Sequence, residues 1–174
     1  DWFHPELIQK VLVKKEKKPE IIKGIDKIID WLNHHETYAT FFVVGELLEY
    51  QPEILDKIIG NGHEIGFHTM YHTRLDTLNF KEKFENEIKE FSKMTSGKSK
   101  GFRAPTFSLD TSTSWAIDVL EENDYLYDSS VVPAKSGLYG IPNAEEKPYK
   151  ISSKSLEKNN EDGKIHEFPI LTTR

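Results

Sequence analysis

The sequence contains no cysteine, which excludes disulfide bonds and thiolate metal sites from its 174 residues. It also lacks long hydrophobic runs: the most apolar stretch, Phe41 to Val44, is far shorter than the roughly 20 residues that span a membrane. Basic residues are outnumbered, and the net charge of −6 argues against a nucleic-acid partner, which would call for a basic surface. Neither G-x-G-x-x-G nor G-x-x-x-x-G-K-[ST] occurs, so no phosphate-binding loop is indicated.

What the chain does contain is an alternation of two apolar patterns. Apolar residues at helical spacing predict helices over residues 19–34, 46–59, 80–97 and 112–123. Short runs rich in β-branched and aromatic residues predict strands at 37–44, 63–67, 100–105, 125–130, 148–151 and 164–170. This order predicts parallel strands with crossover helices, either in an open doubly wound sheet or in a closed barrel.

Polar side chains follow three of the predicted strands. His68 and His72 come after EIGF, Arg103 after KGF, and Asp128 after YLY. In parallel α/β folds the carboxyl ends of the strands share one edge, where binding and catalytic groups collect. We therefore expect these four side chains to converge.

Each of the four has a functional and an ordinary interpretation. Two histidines four residues apart on one helical turn could bind a divalent ion with a carboxylate, or could be one surface and one hydrogen-bonded histidine. Arg103 could orient a carboxylate or form a surface ion pair. Asp128 could be a ligand, a base or a helix cap.

Four segments in this order resemble a known family: ATFFVVGE, GNGHEIGFHTMYH, GFRAPTFS, and YDSSVVP followed by YGIP. They resemble the polysaccharide deacetylases of carbohydrate esterase family 4. The opening DWFHPELI resembles the end of the D-V-E-D-W-F first motif of one branch. The resemblance extends over nearly the whole chain and implies a distorted (β/α) barrel with fewer than eight strands. We interpret residues 1–174 as one catalytic domain, truncated at both ends.

The resemblance also implies a function and a cofactor. Members hydrolyse N- or O-acetyl groups on polysaccharides and oligosaccharides with a divalent metal, usually zinc. His68 and His72 match the H-[ST]-x-x-H metal motif, and Asp1 is expected to be the carboxylate ligand. The expected partner is therefore a sugar polymer, with no nucleic acid and no transmembrane segment in this chain.

Three further positions match residues that act in catalysis in this family. Arg103 matches the arginine that orients the catalytic aspartate, the backbone N–H of Thr106 matches the oxyanion donor, and Asp128 lies in the motif that forms the groove wall. The chain departs from the family in two places. The base aspartate should lie upstream of Asp1, and the Leu-x-His motif of the general acid does not occur before Arg174.

Two other functions remain open at this stage. One is a sugar-binding module on the same scaffold without turnover, and the other is a metal-dependent amidase acting on a small molecule. An aspartate just upstream of Asp1 would favour an enzyme, and a closed pocket would favour the amidase. Trp2, Phe3 and Tyr71 could line a groove for sugars or pack in the core.

Overall fold

Six short strands form one sheet, in the order β1-β2-β3-β4-β6-β5, in the computed structural model, which describes residues 21–172. The strands are β1 Thr40–Val43, β2 Glu64–Phe67, β3 Gly101–Phe102, β4 Tyr127–Asp128, β5 Tyr149–Ile151 and β6 Ile165–Glu167. The helices are α1 Ile21–His34, α2 Gly45–Tyr50, α3 Glu53–Gly60, α4 Lys81–Met94 and α5 Trp115–Glu122, and a short 3₁₀ turn spans Pro105–Phe107.

The sheet is parallel from β1 through β4 to β6, which confirms the predicted α/β class. Within residues 21–172 the sheet has six strands, fewer than eight, and it does not close into a barrel. The edge strand β5 is antiparallel to β6, which the α/β alternation did not predict. The reason is that a loop over residues 152–164, rather than a crossover helix, joins these two strands.

The helix predicted over residues 46–59 is two helices. Gln51 ends α2 with φ −144° and ψ 67°, outside the helical region, and Pro52 stands immediately before α3. A proline disfavours helical backbone in the residue before it and cannot donate the next helical hydrogen bond. The apolar spacing alone did not show this break.

The core lies on the sheet face that α4 and α5 cover. Phe67 of β2 and Phe102 of β3 are fully buried and pack against Phe84 and Phe91 of α4, with the rings of Phe67 and Phe91 4.8 Å apart. Burying side chains of this size supplies much of the stability of a small domain. This core holds β2 and β3 in place, and these two strands lead directly into the candidate site.

No helix within residues 21–172 is both long and apolar enough to cross a membrane.

Candidate functional site

The three predicted strand ends meet at one edge of the sheet. Phe67 pairs with Phe102, and Phe102 pairs with Asp128, so β2, β3 and β4 end side by side. The backbone N–H of Arg103 donates to Phe67 O at 3.0 Å, and that of Ser129 donates to Phe102 O at 2.9 Å. Parallel pairing therefore brings His68, Arg103 and Asp128 together, as the sequence predicts.

His68 and His72 are neighbours with a defined relative orientation. Their ring centroids are 4.9 Å apart, with an interplanar angle of 64°. His68 Nδ1 lies 2.7 Å from the carbonyl oxygen of Arg103. Because a carbonyl can only accept, Nδ1 carries the proton, and Nε2 carries the lone pair in the neutral ring. A histidine that donates one ring N–H to a carbonyl while the other nitrogen binds metal is the usual arrangement at metal sites.

The two histidines lie on a loop rather than on the helical turn that their spacing suggested. Thr69 and His72 have positive φ values of 58° and 55°, in the left-handed region. The loop is anchored to the start of α2, because Gly45 N donates to Thr69 O at 3.0 Å and Glu46 N donates to Met70 O at 2.8 Å. Within the loop, Thr73 N donates to Thr69 Oγ1 at 2.9 Å.

Glu87 of α4 supports the same loop from the core side. Its Oε2 accepts from Met70 N at 2.8 Å, and the side chain is buried. Burial raises the pKa of Glu87, and the bond from Met70 partly opposes that rise. Sequence reasoning missed this residue. The available signal was an acidic side chain on the apolar face of α4 between Phe84 and Phe91.

Arg103 is held by the adjacent strand end and by an aromatic ring. Its Nε donates to Ser129 O at 2.8 Å, and its Nη2 donates to Ser129 Oγ at 2.6 Å. The guanidinium carbon lies 4.2 Å from the centroid of Phe42, a cation–π distance. Burial lowers the pKa of Arg103, while the charges of Asp128 and Glu167 oppose that shift. The side chain is therefore fixed in direction.

Asp128 lies inside the protein, with no exposed surface. Its Oδ2 accepts from Ser130 N at 2.9 Å, and its Oδ1 accepts from Ser130 Oγ at 2.6 Å. These contacts organise the loop after β4, and full burial keeps the carboxylate out of reach of a polymer at the surface. A direct catalytic role for Asp128 stays a prediction, and the observed contacts favour a supporting role.

Thr106 lies in the turn that follows Arg103. Its φ of 54° and ψ of 28° are left-handed, and Phe107 beside it also has a positive φ of 52°. Two consecutive non-glycine residues with left-handed φ values are uncommon, and such strained backbone is often found at functional sites. Within the described chain, no hydrogen bond engages the Thr106 N–H.

The remaining predicted positions are distributed differently. Asp1, Trp2 and Phe3 lie outside the described residues. Tyr71 is 51% exposed beside the two histidines, so it belongs to the surface of the site and not to the core. No group of three histidine, aspartate or glutamate side chains that could hold a metal occurs within residues 21–172. His68 and His72 have the chemistry and spacing to supply two ligands of such a site.

The family model for polysaccharide deacetylase matches residues 22–125, which include both histidines, Arg103 and Thr106. This chain belongs to the polysaccharide deacetylase family. The predicted family is thereby confirmed, although the match does not distinguish the branch with the D-V-E-D-W-F motif.

Individual relatives agree with this assignment. A peptidoglycan-N-acetylglucosamine deacetylase of Bacillus cereus is 34% identical over 97 residues, which cover 53% of this chain and 35% of that protein. A crystal structure of a peptidoglycan N-acetylglucosamine deacetylase is 31% identical, with a TM-score of 0.50, covering 62% of this chain and 51% of the other.

An allantoinase structure shares the fold at 17% identity and a TM-score of 0.62, covering 86% of this chain and 44% of its own. The chain thus spans about half, or less, of the length of these proteins.

Proposed function

We propose that this chain forms the core of a metal-dependent deacetylase that removes acetyl groups from an N-acetylated polysaccharide. The observation that carries the proposal is the oriented histidine pair. His68 is fixed by the Arg103 carbonyl with His72 beside it, at the strand edge where the family match and the predicted catalytic positions coincide. A surface histidine without such a role would not need a fixed tautomer.

We propose zinc as the metal, with His68, His72 and the carboxylate of Asp1 as its ligands. Two imidazoles and one carboxylate leave a coordination position for water, as in catalytic zinc sites. The chemistry that such an ion supplies when bound is polarisation of the acetyl carbonyl and a lowered pKa of the bound water, to about 7. The hydrogen bond from His68 Nδ1 to the Arg103 carbonyl would preserve the orientation of the ring towards the metal.

Arg103 and Thr106 would perform separate tasks beside this pair. The Arg103 guanidinium, held by Ser129 and Phe42, would orient the aspartate base that the family pattern places upstream of Asp1. The Thr106 N–H would donate to the oxyanion of the tetrahedral intermediate. A single donor of this kind is typically worth about 3 kcal/mol of transition-state stabilisation.

We propose a sugar polymer containing N-acetylglucosamine as the substrate. The support is the B. cereus relative, a peptidoglycan-N-acetylglucosamine deacetylase, together with an exposed aromatic residue, Tyr71, beside the histidines. Aromatic rings commonly contact the apolar faces of ligands while their polar ends remain in water. No observation within residues 21–172 favours the sugar-binding module or the small-molecule amidase.

The test is acetate release from an N-acetylglucosamine polymer by the full-length protein. His68→Ala should lower kcat/KM at least about a hundredfold, because it removes a ligand and not merely an outer-shell contact. His35→Ala, an exposed histidine after α1, is the matched control and should keep wild-type activity. Full activity of His68→Ala would refute the proposed function.

A further inference from the structure

Two buried carboxyl groups lie opposite each other beneath the candidate site. Asp128 of β4 and Glu167 of β6 are register partners in the parallel pair, and neither has any exposed surface. Arg103 is the cation whose charge acts on both of them. Glu167 belongs to none of the motifs that predicted the site, and it lies beyond the segment that the family model matches.

The hydrogen bonds of the two carboxyl groups are unequal. Both Asp128 oxygens accept a hydrogen bond from Ser130. Of the Glu167 oxygens, Oε1 accepts a hydrogen bond from the Val131 N–H at 3.0 Å. Glu167 Oε2 receives no hydrogen bond from any described residue. An ionised carboxylate can only accept, and leaving one of its oxygens buried without a donor is costly. A protonated Glu167 would instead be a donor at Oε2, and its neighbour Asp128 is an acceptor.

We propose that Glu167 is a positioning residue that carries a proton and shares it with Asp128. The pair then bears one negative charge, which balances the single positive charge of Arg103. With two ionised carboxylates the buried cluster would carry a net charge, which is strongly disfavoured away from water.

The pair acts on the site through two serines. Ser130 Oγ donates to Asp128 Oδ1 and accepts from Ala104 N at 2.8 Å, two residues before Thr106. Ser129 Oγ accepts from Arg103 Nη2 at 2.6 Å and donates to Phe168 O at 2.8 Å, next to Glu167 in the chain. The pair is therefore joined, directly through Ser130 and through the backbone beside Ser129 and Phe168, to the strand ends that hold the guanidinium and the proposed oxyanion donor. This part of the inference rests on the proposed function.

The electrostatic surroundings agree with a retained proton. Burial raises the pKa of Glu167, the negative charge of Asp128 raises it further, and the charge of Arg103 acts in the opposite direction. Burial also raises the pKa of Asp128. Tyr149 on β5 faces the pair, and its own pKa is raised by burial first and then by the two carboxylates, so it remains a neutral phenol.

The proton makes the stability of the fold depend on pH in a defined direction. Above about pH 5 the unfolded chain releases the Glu167 proton, since an ordinary glutamate has a pKa near 4.3, while the folded protein keeps it. The folded state then binds more protons than the unfolded state, so stability falls as pH rises. The Glu167 proton should add a factor of about ten per pH unit to the rise of the unfolding equilibrium constant, until its raised pKa is reached.

Glu167→Gln and Glu167→Ala test this in urea unfolding between pH 5 and pH 8. Glutamine can accept from Val131 and donate to Asp128 as the protonated acid does, but it cannot titrate. Glu167→Gln should therefore keep near wild-type stability at pH 5 and lower the wild-type slope by about a factor of ten per pH unit, whereas Glu167→Ala should lower stability throughout. Glu157→Gln, an exposed matched control, should leave the slope unchanged.

Infrared spectroscopy gives a readout that does not depend on a variant folding. Wild-type chain labelled with ¹³C-glutamate should show an isotope-shifted carboxylic-acid band at pH 7.5. Folded Glu167→Gln should lack the part of this band that Glu167 contributes, whereas any contribution of Glu87, whose pKa burial also raises, is common to both proteins. Only carboxylate bands at pH 7.5, or an unchanged slope in Glu167→Gln, would overturn the proposal.

A turnover assay separates this proposal from the proposed function. Glu167→Ala should lower kcat with little change in KM, and Glu167→Gln should restore kcat, because the residue acts by positioning Arg103 and Thr106. If both variants retained wild-type kcat, the positioning role would be overturned. If the wild type released no acetate while the infrared band and the slope were present, the proposed function would fail and the shared proton would stand.

Discussion

At the scale of single residues, the site depends on backbone groups and small hydroxyls as much as on its recognisable side chains. The tautomer of His68 is set by a carbonyl, that of Arg103. The direction of the Arg103 side chain is set by the carbonyl and hydroxyl of Ser129. Ser130 links the buried Asp128 to the turn that carries Thr106. None of these links is visible in a motif, because each joins atoms far apart in the sequence.

Ser130→Ala tests the importance of one such link. The change removes the acceptor for the Ala104 N–H, which is fully buried, and a donor to Asp128. A buried polar group left unsatisfied costs about 1–3 kcal/mol, so the free energy of unfolding should fall by that amount. Urea denaturation measures the loss. Ser112→Ala, at an exposed serine, should change stability by less than about 0.5 kcal/mol. Equal effects of the two substitutions would contradict the role assigned to Ser130.

At the scale of elements, glycines in the central strands let aromatic rings of neighbouring strands lie against the sheet. A Cβ atom at Gly66 of β2 would lie 2.6 Å from the ring of Phe42, and one at Gly101 of β3 would lie 2.1 Å from that of Tyr127. Phe42 in turn forms the surface against which Arg103 is held. The two glycines are thus packing requirements of the sheet face beneath the site.

Gly101→Ala and Gly24→Ala should change stability in opposite directions. Alanine at Gly101 must displace the Tyr127 ring, and overpacking of this kind costs about 1–3 kcal/mol. Among the described residues, no heavy atom beyond the chain neighbours and the backbone of α1 itself lies within 4 Å of a Cβ at Gly24, so alanine there should stabilise the helix by about 0.5–1 kcal/mol. Thermal and urea unfolding of both variants measure this. A stabilising Gly101→Ala would show that the ring does not occupy that space.

Periodic patterns explain which elements the sequence revealed. The apolar stripe of α4 and the apolar run of β1 predicted these two elements to within a few residues of their observed bounds, because burial imposes a helical or strand period on the sequence. The helix break at Pro52 and the antiparallel β5 depend on local backbone and loop geometry, which carry no such period.

The site shows the same division between local pattern and long-range contact. His68, His72 and Arg103 were predictable because each follows a strand directly. Glu87 and Glu167 were missed because their partners, Met70 and Asp128, come from other elements and are brought close only by the fold.

At the scale of the whole molecule, the described sheet is open, and the carboxyl ends of its central strands carry the candidate site. Two histidines, Arg103 and Thr106 lie together in residues 21–172, whereas Asp1 lies outside them. The family assignment extends over residues 22–125, and the chain spans about half or less of its relatives' lengths. The central prediction is therefore that His68 and His72 bind a metal ion.

The most direct test is the zinc content of the purified protein by elemental analysis, with wild type, His68→Ala and His35→Ala measured side by side. We expect about one zinc per chain in wild type and in His35→Ala, and almost none in His68→Ala. Removing one of the three proposed protein ligands leaves too few for a stable site. Zinc retained by His68→Ala, or no zinc in the wild type, would contradict metal binding by the histidine pair.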